Sequence, residues 1–200
     1  MTTMDTIIFE LKERVIEVSR SYAICMELVV PENNKYQKTL TNFSNFFNPT
    51  AEVHFQSVVV GLYQLFDTRR GTKSIPHLLK LAPQSELLRK LKEKCEWHSG
   101  TLKKVKKIRC EVYAHRNASR SPEEVLTQVN LSFDGLGALI EIVEEIVCEL
   151  ATGDVIDSVK LSDEIERCAY SACKSLQLIL EALSLSSPKL NQVTAQDDMS

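Results

Sequence analysis

Glycine and proline are scarce in this chain, with six of each in 200 residues. That is too little turn-forming material for the many tight reversals of a β-sandwich or barrel, whereas runs rich in Leu, Glu, Lys and Ala favour helix. Long apolar runs are missing too. No uncharged stretch approaches the roughly 20 residues that span a bilayer, because Glu144, Glu145 and Glu149 interrupt the best candidate. The opening MTTMDTIIFELKER carries Asp5 and no basic segment before its short apolar run, so it does not resemble a secretory signal, and a cytoplasmic location is expected. Six cysteines, Cys25, Cys95, Cys110, Cys148, Cys168 and Cys173, form neither a CxxC pair nor the Cys/His spacing of a zinc site. Free thiols, no metal and no cofactor are expected. Five residues of helix turn about 500 degrees, which puts Cys168 and Cys173 roughly 140 degrees apart and argues against a disulfide between them. There is also no Gly-x-Ser-x-Gly elbow, no phosphate-binding glycine loop and no His-Glu-x-x-His helix.

What is present is a chain of helices, and 44% hydrophobic composition is enough to give it one substantial core. Ile8, Leu11, Val15 and Val18 recur at helical spacing and start a helix that Pro31 ends. Leu40, Phe43, Phe46 and Phe47 mark a short amphipathic piece, closed by a break at Asn48-Pro49-Thr50. The next helix is apolar on every side, from Val53 through Val58, Val59 and Val60 to Phe66, which points to burial at the centre of a bundle. In the loop DTRRGTKS, Ser74 is placed to cap a helix with Pro76 in its first turn, ending at Leu81. A basic helical region follows from Glu86 to about His115, divided near Ser99-Gly100-Thr101. Ser121, Pro122 and Glu124 are spaced as a capping box that opens a helix running through Val125 to Leu150. After the break at Thr152-Gly153-Asp154, a last helix runs from Val155 to about Leu185. The expected organisation is all-α: a bundle over 1–152, a C-terminal helix over 153–187 packed on it, and a disordered polar tail over 188–200.

Charge is distributed unevenly. Residues 1–88 hold nine basic and nine acidic side chains, residues 89–120 eleven and three, and residues 121–200 four and fifteen. A basic block inside an acidic protein can serve a focused anionic partner or pair with the acidic helices of its own chain, and both readings stand at this point. Within the block, Val105, Ile108, Val112 and His115 follow one another along one helical stripe, and Arg109 lies at its margin. On an ideal α-helix Arg109 and His115 are about 120 degrees apart, so a site that uses both requires a distorted helix or a second copy of the chain. The bland alternatives are a core histidine and a surface charge. Cys110, beside basic residues, is a conceivable thiolate nucleophile; without a group to orient His115 toward it, a small packed side chain is the simpler reading.

The same segment, IRCEVYAHRN, resembles the Arg-x(4–6)-His motif of the HEPN superfamily of helical bundles, with Arg109 and His115 in its two places. Ala114-His115-Arg116-Asn117 is similar to the AHxD ending of the abortive-infection AbiU-like branch, with Asn117 where that ending has an acid and Cys110 where the family often has Asp, Asn or His. Upstream, HFQSVVVGLYQLFDTRRGTKSI resembles that branch's apolar helix, its Asp-Thr loop and the helix start after it. The resemblance implies a HEPN-like helical bundle and a metal-independent endoribonuclease or RNA-binding effector of phage defence or a toxin–antitoxin system. His115 would be the general base or acid, Arg109 would hold the charged phosphorane, and Lys103, Lys106, Lys107, Arg116 and Arg120 would attract the RNA backbone. It also implies a homodimer with a shared cleft, and an antitoxin protein as a further partner. The alternative is a noncatalytic helical dimer acting as a protein-interaction module.

Overall fold

The structure is a computed structural model, and the residues it describes are 4–30, 35–83, 85–114, 120–151 and 155–197, with side chains described within the last segment only for 162–185. Among these residues there are nine α-helices and no strand: α1 (Met4–Val29), α2 (Gln37–Asn42), α3 (Ser44–Leu65), α4 (Ile75–Leu81), α5 (Glu86–Trp97), α6 (Ser99–Ile108), α7 (Pro122–Val129), α8 (Phe133–Ala151) and α9 (Val155–Asp197). A π-helical turn, Arg109–Ala114, continues directly from α6. The expected all-α bundle is therefore present, and no helix is long and apolar enough to cross a membrane among the described residues.

The central contact is α1 against α3. Ile7, Leu11, Val15 and Val18 form the buried stripe of α1 and meet Val58, Val59, Leu62 and Leu65 of α3 in one core that also takes in Leu78 of α4, Leu91 of α5, Val105 and Ile108 of α6, and Ile140, Val143 and Ile146 of α8. The stripe begins at Ile7, with Ile8 half-buried at its edge. Gly61 is the closest point of this contact. A Cβ there would lie 2.3 Å from Val18 Cγ2, so only glycine admits the observed approach of the two helices. α8 closes the other side of α1 with two polar ties: Ser19 Oγ donates to Glu144 Oε1 (2.6 Å), and Tyr22 Oη donates to the Phe133 carbonyl (3.1 Å).

Several elements differ from the sequence expectation for identifiable reasons. The break at Asn48-Pro49-Thr50 does not occur, because α3 runs through Pro49. The proline sits in the second turn, near the end where helical hydrogen bonding begins, and Phe47, two residues before it, is buried in a second apolar cluster with Leu28, Leu176 and Leu180. That anchor holds the early turns in place. Nor is α3 buried all round, since Val53 is 59% exposed and Val60 half-buried. The capping box at Ser121 forms as expected, with Ser121 Oγ accepting from the Glu124 N–H (3.2 Å) and the Glu124 carboxylate accepting from the Ser121 N–H (2.9 Å). However, the helix it starts ends at Asn130, whose backbone is left-handed (φ 48), and α8 begins anew at Phe133. Asparagine tolerates that conformation better than other non-glycine residues, so it stops a helix without a proline or glycine. The division of the basic region falls at His98.

α9 lies along α1 and α8. Lys12 pairs with Glu164 (2.9 Å), Ile165 enters the main core, Gln177 bonds Glu27 (3.3 Å), and Lys35 and Tyr36 both reach Glu181. The helical backbone continues to Asp197, past the point near 187 where polar composition alone sets a disordered tail.

Two stability outcomes follow from these contacts. Gly61→Ala is expected to lower stability by about 1–3 kcal/mol through overpacking against Val18, while Gly100→Ala, where an added Cβ meets nothing within 4 Å, gains up to roughly 1 kcal/mol from helix propensity; urea unfolding of both variants checks the opposite signs. Burial, reinforced by Glu141 and Glu166, raises the Glu144 pKa, and the Ser19 hydrogen bond only partly opposes it. A raised carboxyl favours folding while protonated and costs stability as pH rises through its folded pKa. Glu144→Gln should thus melt above wild type at pH 7, with the difference closing as pH falls below the ordinary glutamate range; an equal difference at both pH values would contradict this.

Candidate functional site

The site is built where α6 leaves the core. Val105 and Ile108 are fully buried, which turns Lys103 and Lys106 outward on the exposed face and leaves Arg109 one step beyond Ile108 at the edge of the packed stripe. From Arg109 the helix widens into the π-turn, a form in which the hydrogen bond spans one residue more than in an α-helix and which recurs at functional sites.

Arg109 is held from across the bundle. Its guanidinium carbon lies 4.6 Å from the centroid of the Tyr63 ring, on the last turn of α3. One turn further, past the end of α3, the Asp67 carboxylate is 6% exposed and accepts three hydrogen bonds from the Arg69 guanidinium, from Nε to each oxygen (3.1 and 2.8 Å) and from Nη2 (2.5 Å), plus one from the Arg69 backbone N–H (2.9 Å). Arg69 is the main reason the Asp67 pKa lies below the usual carboxylate value, and the positive charge of Arg109 adds to the same effect. Thr72 Oγ1 donates to the Asp67 and Arg69 carbonyls (3.1 and 2.7 Å), and Gly71 takes the positive φ (83) that lets the loop turn back to Ser74. Ser74 occupies the N-cap position of α4 with extended backbone, and Pro76 sits in the first turn.

Between this loop and α5–α6 lies a cleft of about 550 Å³. Tyr63, Phe66, Pro76, Cys95, Leu102 and Val105 supply much of its lining, and Asp67, Arg69, Glu96, Lys103 and Lys106 its charge. A second cleft, of about 440 Å³ between α1 and α3, is lined by Arg14, Glu17, Arg20 and Gln64 among others and contains none of the motif residues.

The residues singled out from sequence divide into three groups. Lys103 and Lys106 line the cleft, Arg109 does not but rests on the Tyr63 ring that does, and neither lysine has a hydrogen-bond or carboxylate partner among the described residues. Lys107 and Arg120 instead converge on Gln128 Oε1 of α7 (3.3 and 3.0 Å), away from the cleft lining. His115 and Arg116 lie outside the described residues, as does Asn117. Pairing within the chain accounts for part of the basic block: Lys94 bonds Glu145 of α8 (2.6 Å), and Arg89 holds Glu86 (2.6 Å) and Glu93 within α5. It leaves Lys103 and Lys106 without a direct carboxylate partner among the described residues. All six cysteines are unpaired, and no group of three or more His, Cys, Asp or Glu among the described residues could hold a metal ion.

The arrangement brings the two stretches read as motifs, 54–75 and the segment around Arg109, into one place. A model of the HEPN AbiU2 family, described as AbiU2, matches residues 8–166. The chain belongs to the HEPN AbiU2 family. The match takes in α3, the Asp67 loop, α6, the π-turn and α8, so every residue of the site lies within the AbiU2 region. No curated protein and no solved structure gives a significant match. Tyr63, Asp67 and Arg69 were not picked out from sequence as site residues. Their signal was the four-residue step from Tyr63 to Asp67, which sets both on one face at the end of a helix, but nothing in a single sequence says which distant cation that face meets.

Asp67→Ala should release Arg69 and loosen the loop without disturbing α3. Native-state hydrogen exchange is expected to speed up roughly tenfold or more at the Arg69 amide, which loses a charge-assisted bond, with Leu62 and Leu65 unchanged; uniform acceleration across α3 would show instead that Asp67 supports the whole bundle.

Proposed function

We propose that this AbiU2-family protein is a HEPN-type, metal-independent endoribonuclease acting in the cytoplasm as an effector of abortive infection or of a toxin–antitoxin pair. The observation that carries this reading is the pair of cations Lys103 and Lys106 at the cleft, neither with a carboxylate partner among the described residues, and Arg109 stacked on the Tyr63 ring that lines the same cleft. A polyanion gains most where cations have no internal carboxylate to give up, and Arg109 offers two parallel donors suited to a phosphate.

In the reaction a ribose 2′-oxygen attacks the adjacent phosphorus while the bond from phosphorus to the 5′-oxygen breaks, leaving a cyclic phosphate and a free 5′-hydroxyl. His115 takes the proton from the 2′-hydroxyl, and a protonated imidazole returns one to the leaving 5′-oxygen. Arg109 balances the charge that builds on the phosphorane oxygens. A homodimer would supply the second imidazole and join two such clefts. The bundle over 1–152 is the catalytic unit in this reading, and the helix over 153–187 is an extension packed on it. The family membership supports the chemistry, and Lys107 and Arg120 extend the basic surface toward α7.

A second reading, a noncatalytic module that docks a protein such as an antitoxin, is favoured by the exposed apolar side chains Tyr170, Leu178, Ile179 and Leu185 along acidic α9. Incubating the protein with single-stranded RNA in the presence of EDTA separates the two. Cleavage with cyclic phosphate ends is expected, reduced about 10²–10³-fold by Arg109→Ala and about 10²–10⁴-fold by His115→Ala. Intact RNA, or cleavage indifferent to both substitutions, supports the docking reading and rejects the enzyme.

A further inference from the structure

Phosphate chemistry needs only the cations of the cleft, yet much of its lining is apolar. Phe66, Pro76 and Leu102 form a recess beside Tyr63, and about 550 Å³ lies within the roughly 300–1,000 Å³ typical of sites for small organic molecules. A phosphodiester backbone has nothing to place there, whereas a planar ring does. The cations Lys103 and Lys106 line the same recess, so a ring seated in it carries its own phosphate to them.

Two carboxylates line the cleft and differ in what they have left to offer. Both Asp67 oxygens are engaged by Arg69, while Glu96 is exposed, with no hydrogen-bond partner or ion pair among the described residues. A carboxylate accepts two parallel N–H donors. Guanine presents such a pair, its ring N1–H and its exocyclic amino group, side by side. Adenine and cytosine place an acceptor nitrogen next to their amino group, and uracil flanks its single ring N–H with carbonyls. We propose that the cleft seats one nucleobase of the RNA strand and that Glu96 makes it prefer guanine, so the enzyme's cleavage position is set by base as well as by backbone. This inference rests on the ribonuclease reading above and assigns that site its substrate preference.

Calorimetric titration of the full chain with GMP, AMP, CMP, UMP and inorganic phosphate tests it without relying on cleavage. GMP is expected to bind at least tenfold more tightly than inorganic phosphate and several-fold more tightly than AMP. Glu96→Gln should erase the preference for GMP over AMP without weakening phosphate binding, since it removes a negative charge from the cleft. Ser99→Trp, which fills the recess from an exposed position on α6, should weaken all four nucleotides at least tenfold with the helical circular dichroism intact. Nucleotides that bind no better than inorganic phosphate, or a Ser99→Trp protein that binds them as wild type does, would overturn the base site. An unchanged GMP preference in Glu96→Gln would overturn the role given to that carboxylate. In each of these cases the ribonuclease reading is still decided by the cleavage assay, so the two failures are distinguishable.

Discussion

A guanidinium resting on an aromatic ring ties two distant parts of this chain together. Arg109 belongs to the end of a basic helix, and Tyr63 to the end of the helix that packs most closely against α1; their contact fixes the cleft wall on one side and the motif arginine on the other. A cation over a ring is worth roughly 0.5–2 kcal/mol depending on how far water is excluded, which is small beside the core. Its value here is positional. It leaves the guanidinium charge unneutralised by a direct ion pair, whereas a carboxylate in the place of the ring would have cancelled the charge that an anionic substrate needs.

The nearest carboxylate, Asp67, is kept occupied. Arg69 takes both of its oxygens, so the loop after α3 stays folded and Arg109 feels its negative charge without being bonded to it. The two arginines therefore have different tasks: Arg69 completes the loop, and Arg109 rests on the Tyr63 ring. Beneath both, the bundle supplies rigidity. Gly61 lets α1 and α3 approach closely, and the carboxyl of Glu144, bonded by Ser19, sits between α1 and α8 at some cost in charged-group burial.

Much of the fold was legible because local chemistry and tertiary packing agree. The stripe of α1, the capping box at Ser121 and the position of the helix start at Ser74–Pro76 are legible from spacing alone, since such signals are complete within a few residues, although the Ser74 hydroxyl makes no capping hydrogen bond. The misreadings share a cause. Pro49 is accommodated where Phe47 is pinned by Leu28, Leu176 and Leu180, the last two more than a hundred positions away, and Asn130 ends α7 by adopting a left-handed backbone that its side chain permits but does not require. Apolar Val53 is exposed, which periodicity could not separate from its buried neighbours Val58 and Val59. At the site, Arg109, Lys103 and Lys106 were legible as a motif and a charge block, whereas Tyr63 and Asp67 became site residues only once the chain folded. The split between Lys103 and Lys106 at the cleft and Lys107 and Arg120 at Gln128 follows from helical rotation against neighbours that a linear charge count does not contain.

The central claim is that Tyr63 positions Arg109 for work on a phosphate, and a double-mutant cycle reads that coupling directly. Single-turnover cleavage of RNA is measured for wild type, Tyr63→Leu, Arg109→Ala and the double variant. If the ring acts through the guanidinium, the double variant is no slower than Arg109→Ala alone, because Tyr63 has nothing left to position. Losses that multiply independently would contradict the account.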